Sequence, residues 1–180
     1  MKLVIVDRDG VLNVDAKESI KNPSEWIAIE GSLEAVASLN EAGFRVVVAT
    51  NQSGVGRGLI DMLTLNRIHR KMIDAMRMVG ARVDAIFYCP HAEEKMCDCR
   101  KPKPGMLLEI GKRFGVHLKN VPAIGDARRD LLAAKAAGAI PMLVRTGKGA
   151  QTLAEDALPE GTLVFANLAE ASSYIIKNFP

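Results

Sequence analysis

Two sets of side chains in this sequence have types and spacings suited to chemistry. The first lies within eleven residues, Cys89-Pro90-His91-Ala92-Glu93-Glu94-Lys95-Met96-Cys97-Asp98-Cys99, which hold all 3 cysteines of the chain and one of its 3 histidines. An odd thiol count always leaves one cysteine outside a disulfide framework, whereas Cys89, His91, Cys97 and Cys99 make a complete Cys3His set for tetrahedral Zn2+. Closed by four protein ligands, such an ion shapes a loop and does no chemistry itself. The second set is scattered: Asp7 and Asp9, Thr50 and Asn51, Lys101, and Asp126 after Gly125. Each alone is an ordinary turn residue. Jointly they are three carboxylates, a hydroxyl, an amide and an ammonium, which is what holding Mg2+ and a phosphoryl group requires. Asp7 and Asp9, two apart, lean to one side of an extended chain, so that a nucleophile and a proton donor flank one phosphorus. A carboxylate attacking a phosphate dianion is repelled by it; Mg2+ on Asp7 and Asp126, with Lys101 opposite, offsets that repulsion. Thr50 and Asn51 then supply neutral donors to the equatorial oxygens. Asp9 protonates the leaving alkoxide and afterwards activates the water that splits the aspartyl-phosphate.

These residues need elements that bring them together. Leu3–Val6 and Arg45–Ala49 are continuous apolar, β-branched runs suited to strands buried on both faces, and 85–88, 121–124, 141–144 and 162–165 are shorter candidates. Helical patterns separate them: Ser32 to Ala42, Gly105 to Phe114, Leu131 to Ala137, Gln151 to Ala157 and Leu168 to Lys177. The clearest aligns Leu65, Ile68, Met72, Ile73, Met76 and Val79, with Thr64 as N-cap and Gly80 as the stop. Its methionines are core fillers. Alternating strands and helices predict a three-layer, doubly wound, mostly parallel α/β sheet. In such a sheet ligands bind beyond the carboxyl ends of the strands, which is where the second set falls.

Composition narrows the setting. The chain has 180 residues, 48% hydrophobic and 25% charged, enough for one substantial core and one domain over residues 1–180. A net charge of +3 is too small an excess to predict a nucleic-acid partner. No run reaches the length of a membrane span and no signal-peptide organisation is present, so a cytoplasmic protein is expected, with thiols kept reduced for zinc. His69 is expected on the polar side of its helix and His117 in a surface turn. Arg8 is expected to point away from the aspartates beside it, following strand alternation. Trp26 and Phe44 read as packing residues.

The motifs resemble those of the haloacid dehalogenase (HAD) superfamily of phosphatases over essentially the whole chain. Asp7-Arg8-Asp9-Gly10 looks like its motif I, Thr50 motif II, Lys101 motif III, and Gly125-Asp126 with Asp130 motif IV. Asp7–Asn13, Thr50–Gly58 and Cys89–Pro102 are similar, more narrowly, to the heptose bisphosphate phosphatases that serve lipopolysaccharide-core synthesis. The resemblance implies a HAD-like, Rossmannoid fold, with Asp7 as nucleophile, Asp9 as acid and base, and Thr50 and Lys101 steadying the phosphoryl group. It implies Mg2+ on Asp7, Asp126 and the Asp9 backbone carbonyl, Arg100 on the distal phosphate of a phosphorylated sugar, and zinc on the cysteine segment.

About forty residues separate Asp9 from Thr50, and a helix and a strand consume more than half of them. No cap domain fits, so the site is expected to be open and the protein a monomer. Specificity then rests on the loop from Asp15 to Glu18, on the loop containing Asn51, Gln52, Ser53 and Arg57, and on Arg100 with the zinc loop. Some relatives carry lysine where Ala127 stands, which moves one phosphate contact to Arg128 or Arg129. The spacer between His91 and Cys97 is similar to that of histidinol-phosphate phosphatases, an alternative reading, although Ser53 fits the heptose enzymes better. A polynucleotide 3′-phosphatase shares the Thr-Asn-Gln loop but needs no zinc clip, and no basic, aromatic-interleaved patch is present. A non-catalytic binding module has no use for both Asp7 and Asp9 beside a phosphate.

Overall fold

The computed structural model describes residues 1–16, 19–155 and 157–179. Six strands form one sheet: β1 (Lys2–Val6), β2 (Phe44–Asn51), β3 (Ala85–Cys89), β4 (Pro122–Gly125), β5 (Ile140–Val144) and β6 (Leu163–Phe165). Every pairing is parallel and the spatial order is β3-β2-β1-β4-β5-β6. β1 is therefore central, with Val4 against Val46 on one side and Val6 against Ile124 on the other.

Alternation along the strands feeds two cores. Val4, Val6, Val46 and Val48 face one way, onto α1 (Ser32–Glu41), α3 (Met62–Met78) and α7 (Leu168–Asn178) through Leu39, Leu65, Met72 and Ile175. Leu3, Ile5, Val47 and Ala49 face the other, onto α4 (Gly105–Phe114) and α5 (Arg128–Ala136) through Met106, Ile110, Ala133 and Ala134. The remaining described helices are the single turn α2 (Ser53–Gly56) and α6 (Gly149–Glu155). No described helix is long and apolar enough to cross a membrane.

Three boundaries differ from the sequence reading. The α3 N-cap is Asp61, whose carboxylate accepts from Thr64 N–H at 2.7 Å; a charged cap beats the threonine because it also meets the positive end of the helix dipole. Gly80 ends that helix as expected, at φ +75°. The helix after β4 starts at Arg128 rather than Leu131, because Asp130 reaches back to the Ala127 N–H at 3.0 Å and fixes the first turn there. Ser53–Gly56, read as loop, makes one helical turn against the cysteine segment, with Gly56 N–H on Pro90 C=O at 2.8 Å.

Candidate active site

The strand order reverses between β1 and β4, where the connections leave in opposite directions and open a crevice beyond the strand ends. Asp7 follows β1, Asp126 follows β4, and Thr50 and Asn51 are the last residues of β2. All four meet there, with Lys101 brought in by the segment after the cysteines.

Lys101 is 3% exposed and spends its ammonium on three acceptors: Asp130 at 2.6 Å, Ala49 C=O at 2.8 Å and Asp7 at 3.1 Å. Burial would lower its pKa, but Asp130 and Asp7 together raise it, so it stays charged. Burial pushes Asp7 up to about 6 despite Lys101. Asp126 is pushed up to about 7 by burial and by the charges of Asp130 and Asp7. Asp130 is held low, its burial outweighed by Lys101 and Arg129. The carboxylates of Asp7, Asp126 and Asp130 lie within 4.8 Å of one another. Asp130 is already committed to Lys101 and Ala127, whereas Asp126 Oδ1 is buried without a hydrogen-bond partner. An orphaned carboxylate oxygen beside Asp7 fits a hard divalent cation with oxygen ligands. Gly10, at φ +80°, lets the chain pass this point: a Cβ there would stand 2.0 Å from Asp126 Oδ2.

Asp9 sits in a web of donors. Arg8 does not point away as alternation suggested. Its guanidinium curls back to give Asp9 bonds of 2.9, 3.0 and 3.2 Å, joined by Asn13 at 3.0 Å and Gln52 at 2.9 Å. Strand alternation fixes the Cβ direction, and the two methylenes beyond it allow the head group to return. Burial raises the Asp9 pKa, but Arg8 and these hydrogen bonds outweigh it and hold the carboxyl below the usual range. Gln52 also donates to Thr50 Oγ1 at 2.9 Å, which leaves the Thr50 hydroxyl proton for another acceptor.

Asn51 has a second part besides the expected one at the phosphoryl group. Its amide exchanges two bonds with the Lys101 backbone, at 3.0 and 3.1 Å, so it positions Lys101. His69 is also corrected: it is 6% exposed and accepts from Arg8 at 3.2 Å through Nε2. Burial first, and then Arg8, lower its pKa to about 4. Between pH 4 and 6.5 the unfolded chain takes up a proton that folded His69 refuses, so stability is lost as pH falls through that window. We expect this group to cost about 2 kcal/mol on going from pH 7 to pH 5. His69→Gln should flatten the pH dependence of the urea midpoint by that amount, and an unchanged slope would contradict the assignment.

A cleft of about 110 Å3 is lined by Asp9, Asp15, Ser19, Asn51, Gln52, Ser53, Arg100, Arg129 and Lys148, among others. The expected Asp15, Ser53 and Arg100 are thus present; Arg57 is exposed outside this lining, and Glu18 lies outside the described residues. Of the two arginines offered as substitutes at position 127, Arg128 reaches Ala157 C=O at 2.8 Å instead. Arg129 faces the cleft, its Nε buried without a partner and its charge held by Asp130, Asp7 and Asp126 despite burial. Lys148 was missed altogether. The signal was available, since Thr146-Gly147-Lys148 sits just beyond the end of β5.

The cysteine segment closes on itself. Sγ and Nδ1 atoms of Cys89, His91, Cys97 and Cys99 stand 3.2 to 3.6 Å apart in five pairs. Sulfurs around a tetrahedral zinc with ~2.3 Å bonds are about 3.8 Å apart, so the cluster has nearly the shape of such a site. It touches the cleft twice: Gln52 N–H bonds Cys89 C=O at 2.7 Å, and Arg100 donates to His91 C=O at 3.5 Å.

A doubly wound sheet with carboxylates, lysine and threonine gathered at its switch point defines a HAD-type hydrolase. Residues 98–171 match the model of the HAD-hydrolase-like family. D-glycero-beta-D-manno-heptose-1,7-bisphosphate 7-phosphatase of Bordetella bronchiseptica is 53% identical to this chain, covering 98% of it and 99% of its own length. The enzyme of that name from Pseudomonas aeruginosa is 48% identical over 97% and 98%. The crystal structure of D,D-heptose 1,7-bisphosphate phosphatase from B. bronchiseptica, complexed with magnesium and phosphate, covers the same 98% and 99% at 53% identity, with a TM-score of 0.97. That of the Burkholderia thailandensis enzyme covers 99% of this chain and 100% of its own at 47% identity, with a TM-score of 0.81. The chain belongs to this family of HAD phosphatases, the heptose 1,7-bisphosphate 7-phosphatases.

Proposed function

We propose that the protein removes the 7-phosphate of D-glycero-D-manno-heptose 1,7-bisphosphate, with Mg2+, as a single-domain monomer in the cytoplasm. The observation that carries this reading is the joint placement of Asp7, Thr50, Lys101 and Asp126 at one strand-end crevice in a fold matching the B. bronchiseptica phosphatase at a TM-score of 0.97. Asp7 attacks phosphorus and forms an aspartyl-phosphate while Asp9 gives its proton to the departing sugar oxygen; water activated by Asp9 then releases phosphate and frees Asp7. The free-site Asp9 is a weak proton carrier, and an incoming phosphate dianion raises its pKa toward the working range. Asp7, Asp126 and the Asp9 backbone carbonyl would hold Mg2+, which supplies positive charge against the phosphoryl oxygens. The Thr50 hydroxyl meets those oxygens from the protein side, and Lys101 joins it by turning to them the N–H that it gives Asp7 in the free site.

With Mg2+ present, kcat/KM for the heptose bisphosphate should exceed that for histidinol phosphate and for a 3′-phosphorylated oligonucleotide by at least about a hundredfold, because a polar site rejects substrates that leave its buried groups unpaired. A preference for histidinol phosphate would overturn the assignment, and it is the reading that the His91–Cys97 spacer favours.

The Cys3His cluster would bind structural zinc, which holds the His91 carbonyl that Arg100 uses. Elemental analysis should find about one zinc per chain, and Cys97→Ser should lower that content. A metal-free protein with the loop intact by amide exchange would remove zinc from this account.

A further inference from the structure

The cleft carries more positive charge than one reacting phosphate needs. Lys101 and Arg129 already stand among Asp7, Asp126 and Asp130, yet Arg100 and Lys148 line the same cleft. We propose that Lys148 is a specificity-determining residue that binds the second phosphate of a bisphosphate substrate together with Arg100, and that its ion pair with Asp15 holds it in reserve until that phosphate arrives. The inference rests on the phosphatase reading above and extends it to a loop which that reading does not use.

The root of Lys148 is fixed. Its own N–H bonds Asp126 Oδ2 at 2.8 Å, Thr146 Oγ1 bonds Gly10 C=O at 2.7 Å, and Thr152 Oγ1 bonds Asp126 C=O at 3.0 Å. Gly147, at φ +56°, presses so closely that a Cβ would stand 2.5 Å from Gly10 Cα. The backbone therefore cannot retreat from the carboxylates, and only the lysine side chain has room to move. Its Nζ lies 3.2 Å from Asp15 Oδ2, with the two side chains 49% and 23% exposed. A water-screened pair of this kind is weak. A phosphate dianion offers the ammonium twice the charge and more acceptor oxygens, so it displaces the carboxylate.

Volume places the second phosphate at this rim. The catalytic cleft, at about 110 Å3, is below the usual size of a small-molecule site. A neighbouring cavity of about 520 Å3 shares Asp15, Ala16 and Lys148 with it and is otherwise lined by Val14, Ile29, Thr146 and Gly147. A substrate that runs from the cleft into this cavity passes Lys148, whose side chain stands where the two spaces join.

The test uses two variants with opposite expected signs and one readout, the ratio of kcat/KM for heptose 1,7-bisphosphate to kcat/KM for 4-nitrophenyl phosphate. Lys148→Met keeps the backbone bond to Asp126 and should lower the ratio at least about tenfold. Asp15→Asn frees the ammonium and should raise the ratio about threefold or more, chiefly through a lower KM for the bisphosphate. Equal losses on both substrates in Lys148→Met would place Lys148 at the reacting phosphate and overturn the proposal. A lower ratio in Asp15→Asn would make Asp15 a sugar ligand and overturn the reserve pairing. A wild-type protein that turns over 4-nitrophenyl phosphate but no heptose bisphosphate would refute the substrate reading itself, before either variant is made.

Discussion

Asp7→Asn should abolish turnover, with kcat reduced by at least about 10^4-fold on every phosphomonoester, since no other carboxylate can reach phosphorus in the same geometry. The amide keeps the volume and an acceptor oxygen for the Arg8 N–H, which bonds Asp7 Oδ1 at 2.7 Å, so the near-UV spectrum should be unchanged. What is lost is the nucleophile and the negative charge that Lys101 faces. Rapid acid quench should trap phosphate on the wild-type protein and none on the variant. Normal activity in Asp7→Asn would end the aspartyl-phosphate mechanism.

Lys101→Met should do comparable damage by a different route. Removing the ammonium leaves Asp7 and Asp130 facing each other with Asp126 nearby, all buried and with only the Arg129 charge to offset them in place of the direct ion pair. Breaking a buried pair from one side costs about 3 to 5 kcal/mol, read as a lower urea midpoint at pH 8. The sign with pH follows from Asp130, whose carboxyl Lys101 holds low. Without Lys101 that pKa rises, although Arg129 still lowers it, so the folded variant holds its proton to higher pH than the wild type and the stability deficit should shrink as pH is lowered. Turnover should also fall by about 10^2 to 10^3, the usual loss for one donor aimed at transition-state charge. Wild-type stability at pH 8 would refute the role assigned to the ion pair.

The sheet and the convergence of the candidate site at its strand ends were legible because both obey periodicities. Apolar β-branched runs mark strands buried on both faces, and the rule that ligands bind at strand ends singles out Asp7, Thr50 and Asp126 without any contact being known. The cysteine segment was legible because its ligands are local in sequence. The failures share a different cause. Arg8 has a backbone direction that alternation states correctly, but its head group lies several bonds away and was drawn back to Asp9. His69 stands one turn beyond Leu65 and one before Met72, at the edge of an apolar stripe, where Arg8 and the Tyr88 ring, both distant in sequence, meet it. The bond from Asn51 to the Lys101 backbone was out of reach because that partner is fifty residues away. Lys148 has no acidic neighbour in sequence to draw attention, and its role at the rim depends on Asp15, far earlier in the chain.

The strand order carries a consequence for synthesis. β1 is the first strand made, and β2 can pair with it early, but its other edge waits for β4 at Pro122–Gly125. At about 5–20 residues per second, that edge of a strand apolar from Leu3 to Val6 stays unpaired for roughly 6 to 24 s on the ribosome. The Asp7 and Asp126 carboxylates meet only when it closes, so no divalent ion can assist the nascent chain before then. Lys101 is made only 21 residues before β4 begins, so it reaches Asp7 late in the wait. The acid and the ammonium that serve the phosphoryl group therefore come together only in the last stage of sheet closure.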